Sequence, residues 1–142
     1  MRAVNLLAVF VENKPGQTAR IARLLSEAGV NLSWLTIANS GSFGVMRFLV
    51  DQRDTAVRTL KDKGVMVSLV EALAVEVPDK PGSLQAVADL LGRNNINLDN
   101  CSGFVVHNRA VLIIEVHQIA QAGAILEQQG FRLLDQDEML RL

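Results

Sequence analysis

The sequence predicts an α+β fold made twice over: two tandem modules, each an antiparallel sheet with helices on one face. Three observations carry this. Shifted by 66 residues, the chain matches itself without a gap, with 18 of the 58 positions from Leu7 to Gly64 identical. Each repeat alternates short apolar runs with segments of helical period, in the order βαββαβ. The 142 residues are 49% hydrophobic and 20% charged, a globular composition with enough chain for two small cores.

The elements follow in order. Residues 4–11 are rich in Val, Leu and Phe and read as a strand buried on both faces. Lys14-Pro15-Gly16 breaks it. Ile21, Ala22, Leu24, Leu25 and Ala28 then recur at helical spacing across 17–28, and Gly29 is a natural stop. Residues 32–38 and 44–51 form two strands around the turn Asn39-Ser40-Gly41-Ser42. Ala56, Val57 and Leu60 make the apolar stripe of a helix over 54–63, which Gly64 ends, and 65–70 is the fourth strand. The second repeat gives strand 72–77, helix 83–94, strands 98–105 and 110–116, helix 119–129 and strand 131–134. Modules of residues 1–70 and 71–142 are expected, each a split βαβ or ferredoxin-like unit.

Such a unit leaves one sheet face without helices. Strand 44–51 alternates Val45, Arg47 and Leu49 with Met46, Phe48 and Val50, and strand 110–116 alternates Val111, Ile113 and Glu115 with Leu112, Ile114 and Val116. Both faces are largely apolar, with a single charge on one of them, so the modules are expected to pack on each other and on a second chain. A homodimer is the simplest closure. The tail, 138–142, falls where a further strand would begin and is expected as an added edge strand. Residues 1–70 carry nine Lys+Arg against five Asp+Glu, whereas residues 71–142 carry five against ten. This division reads as divergent solvated surfaces, or as complementary halves that pair head to tail.

Composition excludes several functions. A formal net charge of −1 argues against nucleic-acid binding through bulk charge, and 4% aromatics leave little to stack on bases. No apolar run reaches membrane-spanning length, so no membrane partner is expected. The single cysteine, Cys101, precludes an internal disulfide and fits a reducing compartment. With no basic-then-apolar start, the expected location is cytoplasmic. Cys101 reads as a small core residue, and His107 and His117 as a hairpin-tip and a strand-end residue without metal-ligand spacing. No metal or cofactor is expected.

The remaining chemistry lies in two repeated motifs. Asn13-Lys14-Pro15-Gly16 and Asp79-Lys80-Pro81-Gly82 join the first strand of each repeat to its first helix. A helix start offers unpaired N–H groups and a positive dipole end, which suit a carboxylate, although Pro-Gly before a helix is also ordinary turn chemistry. Fifteen residues after each of these glycines stands an Asn, in Val30-Asn31-Leu32 and Ile96-Asn97-Leu98. The turn and the Asn are expected near one end of the sheet.

This combination, repeated within one chain, resembles the ACT domain family: small βαββαβ regulatory modules that bind amino acids and related small molecules. The resemblance covers nearly the whole chain and includes no catalytic domain. In serine-sensing members the polar residue before the Lys/Arg-Pro-Gly contacts the effector, and so does the Asn of the Val-Asn-Ile stretch, from across an interface. The resemblance therefore implies ligand contacts from Asn13, Lys14, Pro15, Gly16, Asn31 and Leu32, and from Asp79, Lys80, Pro81, Gly82, Asn97 and Leu98. The two sites are not equivalent, because Asn13 is neutral and Asp79 acidic. Asp79 can pair with an α-ammonium group or cap the helix. A His used by some members two residues before this position is replaced by Val11 and Val77. Gly29 becomes Asn95, which also tolerates the left-handed conformation.

An enzyme on this fold would want an Arg-lined anion cradle or a His or Cys nucleophile in the first turn, and neither turn holds one. A metal chaperone would need Cys-x-x-Cys. The expected function is a non-catalytic sensor that binds an amino acid or similar carboxylate between ACT modules. The rival is an interaction subunit that docks onto a metabolic enzyme without a small ligand. Ligand-induced stabilisation separates the two.

Overall fold

Both repeats use the same local devices to build their elements. In the computed structural model, which describes residues 2–142, strand β1 (Val4–Glu12) leads through Pro15-Gly16 into helix α1 (Gln17–Glu27). Strands β2 (Leu32–Ser40) and β3 (Phe43–Val50) form a hairpin, and helix α2 (Arg53–Asp62) follows. Strand β4 (Met66–Pro78) continues into the second repeat: α3 (Ser83–Arg93), β5 (Asn100–Val106), β6 (Arg109–Glu115), α4 (Ile119–Gln128) and β7 (Arg132–Leu134). A last helix, α5 (Gln136–Leu140), ends the chain. Packing divides the chain into one unit of residues 5–70 and another of residues 71–142 with residues 2–4.

In the first unit β3 lies between β1 and β2, antiparallel to both, with Leu7 opposite Phe48 and Leu35 opposite Phe48 on the other side. The core forms where Leu7, Val9, Val11, Met46 and Phe48 meet Ile21, Leu25, Ala56 and Leu60 from the helices. Strand alternation puts one set of residues on this face, and the helical period lines up the other. The second unit repeats the arrangement. β4 pairs with β6 and β7, and β5 pairs with the far side of β6. Leu73, Val75, Val77 and Ile114 pack there against Val87, Leu91, Ala122 and Leu126.

Two sequence expectations are corrected. Strands expected at 65–70 and 72–77 are one continuous strand, β4. Val70-Glu71-Ala72 contains no Gly or Pro to break extended backbone. The tail is a helix and not an edge strand. Asp135 caps it: its Oδ1 accepts from the Glu138 N–H at 2.8 Å, while Glu138 Oε1 accepts from the Asp135 N–H at 3.2 Å. This reciprocal box satisfies donors that a strand would leave to a neighbour. Parts of the helix-free faces are buried. Leu6, Ala8 and Leu49 of the first unit, and Ala72, Ala74, Ile113 and Leu134 of the second, are all buried. Their apolar character favours that outcome over solvent contact.

Gly16 and Gly82 precede α1 and α3 with φ of 91° and 92°, in the left-handed region. An added Cβ would meet nothing within 4 Å at either position, so only backbone strain opposes a side chain. Gly82→Ala is expected to cost about 1–2 kcal/mol, the left-handed penalty for an L-residue, read as a lowered urea midpoint at unchanged slope.

Candidate functional site

The chain leaves β1 at Glu12, opposite Phe43, and enters β2 at Leu32, opposite Val50. Strands β1 and β2 are both antiparallel to β3, so they run in the same direction. Helix α1 carries the chain back along the sheet between them. The turn Asn13-Lys14-Pro15-Gly16 and the pair Asn31-Leu32 therefore lie at opposite ends of the module, separated by nine strand residues or about 30 Å. The second unit is built alike. Pro78 lies opposite Arg109, beside Asp79-Lys80-Pro81-Gly82, whereas the Asp99 N–H donates to the Glu115 carbonyl at the other end, beside Asn97-Leu98. The expectation that turn and Asn share one end of a module is thus corrected: a crossover helix returns the chain to the end where it started.

The four polar residues have different surroundings. Asn13 is committed to the hairpin: its Nδ2 donates to the Gly41 carbonyl at 3.0 Å, and its backbone N–H to the Ser42 carbonyl at 2.8 Å. Lys14 Nζ lies 3.3 Å from Glu12 Oε2, both side chains being exposed. Asp79 is exposed, and its carboxylate has no hydrogen bond or ion pair among the described residues. It does not cap α3, whose N-cap is Gly82 without a side-chain bond. Ser83 instead closes this turn, its Oγ donating to the Pro78 carbonyl at 2.5 Å.

Asn31 is held by its backbone. Its N–H donates to Asp51 Oδ1 at 2.9 Å, and its carbonyl accepts from the Asp51 N–H at 3.3 Å. The side-chain amide makes no hydrogen bond among the described residues. Asn31 and Leu32 line a cleft of about 420 Å³ together with Ala22, Leu25 and Ser26 of α1. In the second unit Asn97 Nδ2 donates to Asp99 Oδ1 at 2.9 Å, and Asp99 Oδ2 lies 3.2 Å from His117 Nδ1. The 66-residue shift places His117 on Asp51 and Asp99 on Ser33. One repeat thus fixes the backbone of its Asn and leaves the amide unengaged; the other engages the amide. Asn95, with φ 59°, makes the left-handed turn that Gly29 makes with φ 74°.

Two further residues differ from the sequence reading. His117 has a carboxylate partner, which its separation of 18 residues from Asp99 did not disclose. Cys101 is exposed rather than in the core, because β5 is the outer strand of its sheet and lies beyond the helices' cover. Partial burial of its thiol still raises the pKa above the usual value. Among the described residues, no three or more His, Cys, Asp or Glu gather as a metal site, and no helix is long and apolar enough to cross a membrane.

Two repeated βαββαβ units, each with a Lys-Pro-Gly turn and an Asn just ahead of the second strand, define a class of duplicated ferredoxin-like proteins. A family model described as the ACT domain pair matches residues 2–142, and the chain belongs to that family. Among solved structures, the chain is similar to protein BT0572 from Bacteroides thetaiotaomicron, with 26% identity over 99% of this chain and 97% of that one and a TM-score of 0.91. The fold is also that of the regulatory subunit of aspartate kinase from Thermus flavus (16% identity, 89% and 90% covered, TM-score 0.62). The regulatory subunit from Thermus thermophilus, in its ligand-free form, is similar too (16% identity, 89% and 91% covered, TM-score 0.58). No match was found among curated proteins.

Proposed function

We propose that the chain is a non-catalytic regulatory protein of the cytoplasm that binds an amino acid or similar small carboxylate between ACT modules of two copies in a homodimer. One observation carries the reading: the turn and the Asn stand at opposite ends of each module, so a ligand that touches both must bridge two modules. Of the four polar positions, Asp79 and Asn31 are unengaged. A carboxylate at 79 pairs with an α-ammonium group, the α1 and α3 N–H groups receive a carboxylate, and the Asn31 amide can donate to one or accept from the other. Lys14-Pro15-Gly16 and Lys80-Pro81-Gly82 set the backbone for that approach, with Leu32 and Leu98 as apolar walls. Asn13 and Asn97 supply weaker contacts, because each amide already has a partner within its own module. The regulatory subunits that share this fold support a regulatory over a catalytic role.

The test is a thermal-shift screen of the twenty amino acids and common 2-oxo acids at millimolar concentration. A ligand that binds only the folded chain stabilises it by RT ln(1 + [L]/Kd), about 2.7 kcal/mol at one hundred times Kd. At least one compound is expected to raise Tm with its concentration. A cooperative melt that no compound shifts would overturn the reading and favour an interaction subunit.

A further inference from the structure

The repeat makes a second comparison possible, away from the candidate effector site. In the second unit Glu76, Arg109 and Arg132 form one ionic cluster: Arg109 Nη1 and Arg132 Nη1 donate to the two Glu76 carboxylate oxygens, each at 3.0 Å. The cluster is completed by the C-terminal helix, because Glu138 of α5 accepts from Arg132 and from Arg2. The 66-residue shift places these three residues on Phe10, Phe43 and Met66 of the first unit. There the same three positions are apolar, and they are exposed at 37%, 62% and 69%. They line a cleft of about 240 Å³ with Glu12, Gln17 and Arg20. Burial of such a patch is favourable, and three neighbouring large apolar side chains in water mark an interaction site more than scattered exposure does.

We propose that the Phe10–Phe43–Met66 patch receives a short, acidic, amphipathic helix from a partner protein. The second unit suggests the occupant's form: a helix of one to two turns beside the equivalent cluster, joined to it where Glu138 accepts from Arg132. The substitution of Glu76, Arg109 and Arg132 by Phe10, Phe43 and Met66 changes what that helix must present, from a carboxylate to apolar side chains. The rim sets its charge. Arg20 lines the cleft and donates to the Lys63 carbonyl at 3.3 Å, whereas the one acid of the lining, Glu12, is already paired with Lys14 at 3.3 Å. The first seventy residues carry nine Lys+Arg and five Asp+Glu, so acidic residues beside the apolar face are favoured in encounter and in register. The helix-in-groove mode supplies the rest: apolar anchors at i, i+3 and i+4 in an apolar cleft. This proposal does not rest on the effector reading, since none of its three residues belongs to that site.

The experiment is selection of a displayed library of 12-residue peptides on the full chain, with synthetic copies of the enriched sequences measured by fluorescence anisotropy. Enriched peptides are expected to combine Asp or Glu with apolar residues at helical spacing. They should bind Phe43→Asp and Met66→Asp at least tenfold more weakly, and weaken as salt is raised. Both side chains are mostly exposed, so the variants should melt within a few degrees of the parent, and Thr18→Ala, on the exposed side of α1, serves as a binding-neutral control. No enrichment overturns the proposal, as do peptides that bind the Phe43→Asp chain equally well or are predominantly basic. A smaller particle mass for Phe43→Asp than for the parent in light scattering would also overturn it, since a second copy of the chain would then be the occupant.

Discussion

Asn31→Ala is expected to weaken effector binding at least tenfold while leaving the melting temperature of the ligand-free chain within about two degrees. The backbone of this residue, not its side chain, is tied to Asp51, so the substitution removes no intramodular hydrogen bond. An amide that donates to a charged ligand group contributes about 1.5–3 kcal/mol, which is tenfold or more in affinity. Titration calorimetry with the strongest compound from the thermal screen measures the loss directly. The comparison with Asn97→Ala is the sharper part. Because the Asn97 amide already donates to Asp99, the second variant should lose less affinity and should lose some stability. No loss for Asn31→Ala would remove this residue from the site, and equal losses for the two variants would overturn its ranking above Asn97.

Glu76→Gln is expected to lower stability near pH 7 by about 1 kcal/mol, the solvent-screened scale for partly exposed ion pairs, with the difference disappearing in acid. The Glu76 side chain is 18% exposed and accepts from Arg132 and Arg109. The bond from Arg132 is the main cause of a pKa held below the ordinary 4.5; burial opposes it, and Arg109 adds to the lowering. A carboxyl with a depressed folded-state pKa contributes stability that is complete above its unfolded value and is lost as pH falls through the folded one. Parent and variant melting curves should therefore lie apart above the ordinary carboxyl value of 4.5 and converge only as pH falls below it through the lowered folded-state value, where the parent's carboxyl becomes a neutral acid like the amide. The same contrast should shrink in high salt for the exposed arm of the cluster, Arg132, but persist for the less exposed Glu76–Arg109 bond. Curves that stay separated at low pH would mean that packing around residue 76, not its charge, carries the effect.

Much of the fold is legible without coordinates because the chain states its pattern twice. Ile21, Leu25, Ala56 and Leu60 recur as Val87, Leu91, Ala122 and Leu126, and each set lies at helical spacing in its own core. The turn glycines at 16 and 82 are read equally well, since few other residues adopt their positive φ cheaply. The errors arise where local pattern and tertiary partner compete. Residues 138–142 look strand-like by repeat position, but Asp135 and Glu138 cap each other and start a helix. Cys101 looks like core by residue type, but an outer strand exposes it.

The candidate site shows the same division. The residues Asn13, Asn31, Asp79 and Asn97 are found by motif spacing, which is one-dimensional information. Their separation within a module is not, because it depends on the direction of β2 relative to β1. The condition of each amide also lies outside the sequence: Asn13 reaches Gly41 across 28 residues, and the Asp99–His117 pair that accompanies Asn97 joins residues from two different strand ends. The sequence by itself determined the duplication, the βαββαβ order and the motif residues, because periodicity and turn chemistry are local. Only the tertiary structure decided which polar groups are already satisfied and where exposed apolar residues gather. Hydrogen bonding and burial depend on what the folded chain brings within reach, and sequence separation does not measure that distance.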